Sequence, residues 1–194
     1  MPALILASKS TIRQKMLEDA GVEFEVVPAE IDEQAFKSAE KDGEIIALQL
    51  AKAKALAVSA VRPGDWVIGS DSIVRVGERL FDKPKSREQA ADHLRAFSGN
   101  SMQLTSAAAL ARAGEVDWSD IRRAELFFRE LSEEFIQSYL DAEWPEVGNC
   151  VGVFRFEGRG VQLFDQFVGG HFTILGMPLM PLLKALRERG LLPS

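Results

Sequence analysis

The stretch Trp66-Val67-Ile68-Gly69-Ser70-Asp71-Ser72-Ile73-Val74 sets an acid inside a run of otherwise buried-type residues. β-Branched and aromatic side chains carry the pattern on to Val76, so the run reads as a strand. Gly77 marks its hairpin turn into Arg79-Leu80-Phe81. Alternation along a strand places Asp71 on one face with Val67, Gly69 and Ile73, and the small neighbours leave room beside it for a ligand, an ion or backbone. An ionised carboxylate there needs cations or hydrogen-bond donors, or it takes up a proton. A structural acid bonded to backbone amides would meet the same need, so both readings stay open.

The remaining segments alternate strand and helix around this run. Leu4-Ile5-Leu6 reads as a first strand. A helix then carries Ile12, Met16, Leu17 and Ala20 on one side, with Gly21 as its stop. Phe24 to Val27 reads as a strand ended by Pro28, and Glu30 to Asp42 as a polar segment. An Ala-rich helix is expected from Glu44 to about Val61, closed by Arg62-Pro63-Gly64. Ser86 and Gln89 have capping-box spacing ahead of a helix to Phe97. Strands are expected at Ser101 to Arg112 and Glu115 to Phe128, and a helix capped by Ser132 through Tyr139. Asn149 to Gly160, punctuated by glycines, reads as a strand and a tight loop; Pro178 opens a last amphipathic helix. This order predicts an α/β fold, a mixed sheet flanked by helices and arranged as two lobes.

With 194 residues, 46% of them apolar, the chain can bury a core without disulfides, and its one cysteine, Cys150, fits a reducing compartment. The first ten residues hold too short an apolar run for a signal peptide, and no stretch approaches a membrane span, so a cytoplasmic protein is expected. The formal net charge of -6 argues against a duplex nucleic-acid partner. It leaves a phosphate ligand open, because a pocket needs only a few well-placed cations. Neither a G-x-G-x-x-G nor a G-x-x-x-x-G-K-[ST] loop is present, so a phosphate site must be built differently. With only His93 and His171, and no G-x-S-x-G, serine-hydrolase chemistry has little to stand on.

Three further clusters accompany Asp71. Ser8-Lys9-Ser10 lies between a strand and a helix N-terminus, where backbone N–H groups favour an anion, and Arg13 adds a planar fork suited to phosphate oxygens. The plainer reading makes Ser10 an N-cap and Arg13 a solvated residue. Lys54 falls within roughly 60° of Ala47, Leu50, Ala51, Val58 and Val61 on a helical wheel, while Lys52 points away. A lysine in an apolar stripe must snorkel or meet an anion. Lys83-Pro84 follows the hairpin, whose return runs back toward the Asp71 end of the sheet; alone it would read as a surface lysine. Together, serine, arginine, lysines and acids suit a polyphosphate with a divalent cation.

These clusters resemble the Maf (septum-formation) family of nucleotide pyrophosphatases. Leu6-Ala7-Ser8-Lys9-Ser10-Thr11-Ile12-Arg13 is similar to the family's L-A-S-x-S-P-R-R, and Ile31-Asp32-Glu33 to its I-D-E element. Leu50-Ala51-Lys52-Ala53-Lys54-Ala55 fits L-A-x-x-K-A, Gly69-Ser70-Asp71-Ser72 fits G-[AS]-D-[TQ], and Lys83-Pro84 fits the K-P pair. Leu94 to Gly99 resembles L-x-x-x-S-G, and Gly176-Met177-Pro178-Leu179 resembles G-L-P-L. Each motif is weak alone, but their order along nearly the whole chain is specific.

The resemblance implies one Maf-like domain over residues 1–194, with two lobes around a cleft in the manner of inosine triphosphatases. It implies cleavage of a nucleoside triphosphate to a monophosphate and pyrophosphate, with magnesium or manganese, and in many members a homodimer. Asp71 would activate the water, Ser8, Arg13, Lys54 and Lys83 would hold the triphosphate, and Glu33 with Asp71 would bind the metal. Departures bear on the base. Thr11-Ile12 stands where many members have Pro-Arg, Ser72 replaces Thr or Gln, and Glu157 stands where the pyrimidine branch has Gln. Ile12 and Glu157 resemble the bulky apolar residue and the acid of the branch acting on 7-methyl-GTP, and a carboxylate can accept hydrogen bonds from the N1–H and N2–H₂ edge of guanine. A dTTP/UTP pyrophosphatase and a non-catalytic nucleotide-binding regulator of cell division are the alternatives.

Overall fold

A computed structural model describes residues 2–193 of the chain. It divides into two compact units: the first holds the described residues up to Ser72, Thr105–Arg122 and those from Gly170 onward, the second Ile73–Leu104 and Arg123–Gly169. No helix among the described residues is long and apolar enough to cross a membrane.

In the first unit, β1 (Leu4–Leu6) pairs in parallel with both β2 (Glu25–Val26) and β3 (Trp66–Val76). β5 (Ser101–Arg112) and β6 (Glu115–Phe128) continue the order on the other side of β3. The register sets Leu4 opposite Trp66 and Leu6 opposite Ile68, so these side chains share one face. That face packs with Met16 and Leu17 of α1 (Thr11–Asp19), Ala108 and Leu110 of β5, and Leu179, Leu182 and Leu186 of α7 (Leu179–Glu188). Each such fully buried leucine contributes about 1.5–3 kcal/mol. The inward face of α1 differs from expectation: Arg13, Met16 and Leu17 are buried, while Ile12 is half-buried and Ala20 exposed. A guanidinium takes the place an apolar residue was expected to fill, because polar acceptors await it inside.

The opposite face of β3 is covered by α3 (Gly43–Val61). The Asp42 carboxylate accepts from the Glu44 N–H at 2.9 Å and caps this helix, which begins one residue before the expected start. It ends ahead of Pro63, which cannot continue a helix. Gly69 decides how closely α3 approaches: a Cβ there would lie 2.0 Å from the Ala51 carbonyl oxygen and 2.6 Å from the Ala55 nitrogen. Val61, expected on the apolar stripe, is 74% exposed at the helix end.

The polar segment Glu30 to Asp42 contains a helix, α2 (Glu33–Ala39), with Asp32 accepting from the N–H groups of Gln34 and Ala35. It buries no side chain, and so presents no apolar periodicity. The short α6 (His171–Ile174) precedes the turn into α7.

In the second unit β4 (Arg79–Phe81) pairs antiparallel with β3, Val74 opposite Phe81. α4 (Arg87–Phe97) starts where the Ser86 hydroxyl accepts from the Gln89 N–H at 3.1 Å. The Gln89 side chain reaches back to the Lys85 N–H rather than to that of Ser86. α5 (Glu133–Glu143) runs beyond Tyr139. No strand lies in Asn149 to Gly160: Val153 has a φ of 57°, in the left-handed region where a ladder cannot continue, and 3₁₀ turns occupy Glu146–Asn149 and Arg159–Leu163. The strand comes later, as β7 (Phe164–Gly169) antiparallel to β6. Aromatic rings fill this unit: Phe97 packs on Phe81 at 4.8 Å and on Phe128 at 5.3 Å, and Phe128 on Phe164 at 4.5 Å.

Candidate active site

β3 delivers Asp71 to the face that α3 covers, two residues beyond the close approach at Gly69. There the Lys54 ammonium lies 2.5 Å from Asp71 Oδ1 and 2.7 Å from Glu33 Oε1. Lys54 and Asp71 are buried, and Glu33, at the start of α2, keeps its side chain 45% exposed. Of the two readings left open for Lys54, it meets anions rather than snorkelling. Removing one partner of such a buried pair typically costs about 3–5 kcal/mol, because the other charge is left uncompensated.

Arg13 forms the second half of the arrangement. Its Nε donates to the Gly176 carbonyl at 2.9 Å, Nη1 to the Ser70 carbonyl at 3.0 Å and the Ser8 hydroxyl at 3.3 Å, and Nη2 to the Ser72 hydroxyl at 3.0 Å. The residue is buried, not solvated. Burial lowers its pKa from the ordinary arginine value, and the charges of Asp71 and Glu33 push it back up. Arg13, Lys54, Asp71 and Glu33 therefore form one charge cluster.

Ser8 also explains the start of α1. Its hydroxyl accepts from the Ser10 N–H at 3.2 Å, whereas Ser10, at the N-cap position, makes no capping bond with its own side chain. Ser72 lies 2.9 Å from the Ser106 hydroxyl, and Ser106 donates to the Thr173 carbonyl at 2.9 Å. Gly176 also receives the Ser72 hydroxyl at 3.0 Å, with its own φ at +107°, a value that a side chain would strain. Ser106 and Thr173 are site components that sequence reasoning missed, and Ser70 and Gly176 entered it only as motif members without a role. Only the small, polar character of the serines hinted at them, since their partners are far away in sequence.

Ile12 is half-buried beside Arg13 on α1. Lys83 and Glu157 belong to the second unit, where both are exposed. Both act on the Cys150 thiol, which is raised to about 11, chiefly by burial and then by the charge of Glu157, with Lys83 and Arg155 acting against them. At that value the thiol is protonated near neutral pH and is no nucleophile. The loop carrying Glu157 is tied down by Arg155, whose Nε and Nη2 donate to the buried Glu143 carboxylate at 3.0 and 2.9 Å. Tyr139, one turn earlier on α5, donates to the Val153 carbonyl at 3.1 Å.

As a cation site, the pair Glu33 and Asp71 offers hard oxygen donors brought to a common point, which suits magnesium or manganese. Among the described residues no group of three or more His, Cys, Asp or Glu side chains is arranged to hold a metal ion. A pair of carboxylates is what such ions use when substrate phosphates complete their coordination.

A family model described as Maf-like protein matches residues 3–189. The 7-methyl-GTP pyrophosphatase of Rhizobium etli is 48% identical over 193 residues, covering 97% of each chain. The nucleoside triphosphate pyrophosphatase of Bradyrhizobium diazoefficiens is 45% identical over 191 residues, or 97% of this chain and 95% of that one. Among solved structures, a nucleoside-triphosphatase / dITP/XTP pyrophosphatase from Mycobacterium abscessus has 17% identity and a TM-score of 0.41, over 97% of this chain and 95% of that one. That likeness is too slight to bear on the site.

Proposed function

This chain belongs to the Maf-like protein family, and from that premise we propose that it is a nucleoside triphosphate pyrophosphatase using Asp71 as its general base. Water attacks the α-phosphorus, the bond to the bridging oxygen breaks, and pyrophosphate leaves with that oxygen and the electron pair. Asp71 takes the proton of the water. The observation that carries the assignment of roles is the convergence of Asp71 and Glu33 on the Lys54 ammonium within a buried charge cluster.

In the free protein Lys54 holds one Asp71 oxygen at 2.5 Å, leaving the other open to a water. Arg13 donates to the carbonyl that precedes Asp71 and so holds the base's backbone, while its charge favours the triphosphate. Ser8 would be a further phosphate partner, a role that the resemblance implies for Lys83 as well. Glu33 and Asp71 would hold a divalent cation, magnesium or manganese, which when bound supplies positive charge to the phosphate oxygens.

For the base we favour a guanine of the 7-methyl-GTP type. Glu157 is an acceptor suited to the N1–H and N2–H₂ edge of guanine and repels the carbonyls of uracil and thymine. The relative from Rhizobium etli named for 7-methyl-GTP supports this choice. Ile12 and Ser72 would shape the same preference. The test is pyrophosphate release from 7-methyl-GTP, GTP, UTP and dTTP side by side, with magnesium or manganese. Release from none of them sinks the hydrolase; faster release from the pyrimidine nucleotides sinks only the base assignment.

A further inference from the structure

Lys54 does more in this arrangement than steady Asp71, for its one nitrogen holds an oxygen of each carboxylate that a divalent cation would use. The charges described there offset one another: Asp71 and Glu33 bring two negative charges, Lys54 and Arg13 two positive ones. Lys54 and Asp71 are buried, so the balance is not restored by solvent. A divalent cation arriving alone would have to displace the ammonium from its partners and leave the cluster with excess positive charge in a poorly solvated place, which is costly. A triphosphate changes both terms. Its oxygens give Lys54 another anion to bind, and its negative charge offsets that of the cation. The two carboxylates leave further coordination positions for those same oxygens.

We infer that Lys54 serves as an internal counter-ion in the free enzyme, so that the divalent cation enters together with the triphosphate rather than before it. The inference rests on the proposed hydrolase reading and adds the order of assembly at its site. Cation and nucleotide each raise the affinity for the other, and the coupling passes through the Lys54 ammonium.

The test is titration of Mn²⁺ into the full chain, with free Mn²⁺ read by electron paramagnetic resonance, with and without an α,β-methylene nucleoside triphosphate. That analogue cannot be cleaved at the scissile position, and a titration of the analogue alone accounts for the Mn²⁺ it holds. The wild-type protein should bind Mn²⁺ about tenfold or more tightly with the analogue than without it. Lys54→Met should tighten nucleotide-free Mn²⁺ binding by about tenfold, closing the gap. Equal wild-type affinities overturn the inference, as does a folded Lys54→Met protein that binds no tighter than wild type. Should Lys54→Met fail to fold by circular dichroism, Lys54→Gln takes its place, with the same outcomes. Pyrophosphate release by the wild type is scored separately. The hydrolase reading fails when release is absent, and the counter-ion fails when release is intact but the two affinities agree.

Discussion

The Nε of Arg13 donates a 2.9 Å hydrogen bond to the carbonyl of Gly176, 163 positions along the chain. The same guanidinium reaches the Ser70 carbonyl at 3.0 Å. One side chain thus fixes both the turn ahead of α7 and the peptide that leads into Asp71.

Replacing Arg13 by lysine keeps the charge but loses the fork, since an ammonium cannot serve acceptors spread around a planar group. Arg13→Lys should lower stability by about 1.5–3 kcal/mol, the range for charged hydrogen bonds, and reduce kcat as well. The urea midpoint decides: if it is unchanged while activity falls, Arg13 serves only the ligand.

Asp71→Asn keeps the shape of the side chain and a partner for Lys54, but removes the proton acceptor. Turnover should fall by about 10²-fold or more, the range for loss of a general base. Nucleotide binding, followed by calorimetry with the uncleavable analogue, should persist. Near-normal pyrophosphate release would take Asp71 out of the mechanism.

Gly69→Ala places a methyl group 2.0 Å from the Ala51 carbonyl oxygen, which is backbone and cannot swing aside. The expected cost is about 1–3 kcal/mol or more from overpacking. As α3 also carries Lys54, turnover should drop with stability. A variant as stable as wild type in thermal unfolding would show that the helix can move off the strand freely.

Much of this geometry was written in local sequence. The bounds of β3, β5 and β6 were legible from the turns that close them, Gly77 after β3 and Ala113-Gly114 between β5 and β6, and Asp71 stood out as an acid among buried residues. Lys54 was legible from helical spacing, and α3 brings it to Asp71. Other parts were not. α2 buries nothing, so only Asp32 as its cap announced it. β7 leaves all but its first residue exposed, which erases the alternation that marks a strand. The Arg13 acceptors at Ser70 and Gly176 are carbonyls, and a carbonyl leaves no trace in residue type.

Glu157→Gln removes a charge from an exposed loop position. Base preference should move toward UTP and dTTP, read as the ratio of kcat/KM values against 7-methyl-GTP. Hydrolysis of inorganic triphosphate, which has no base, should not respond. An unchanged nucleotide profile would release Glu157 from base selection.

His93 is buried among Phe81 and Phe97, and its Nδ1 has no hydrogen-bond partner. Burial holds its pKa below the ordinary 6.5, Arg79 acts in the same direction, and Asp92 and Asp82 act against it. The unfolded chain therefore takes up a proton here at a pH where the folded one does not. The neutral imidazole's contribution is complete above about pH 6.5 and declines as pH falls below it, levelling off past the folded-state value. His93→Phe should lose less Tm than wild type between about pH 7 and pH 5. Parallel curves for the two proteins would assign the acid sensitivity elsewhere.

The unit that houses Asp71 is assembled from three separate lengths of chain, the last of which begins at Gly170. A ribosome releases Arg13 long before the carbonyl it needs, so a nascent chain cannot close this bond until Gly176 has emerged. Fragments that stop short of residue 176 consequently leave the Arg13 guanidinium without that acceptor.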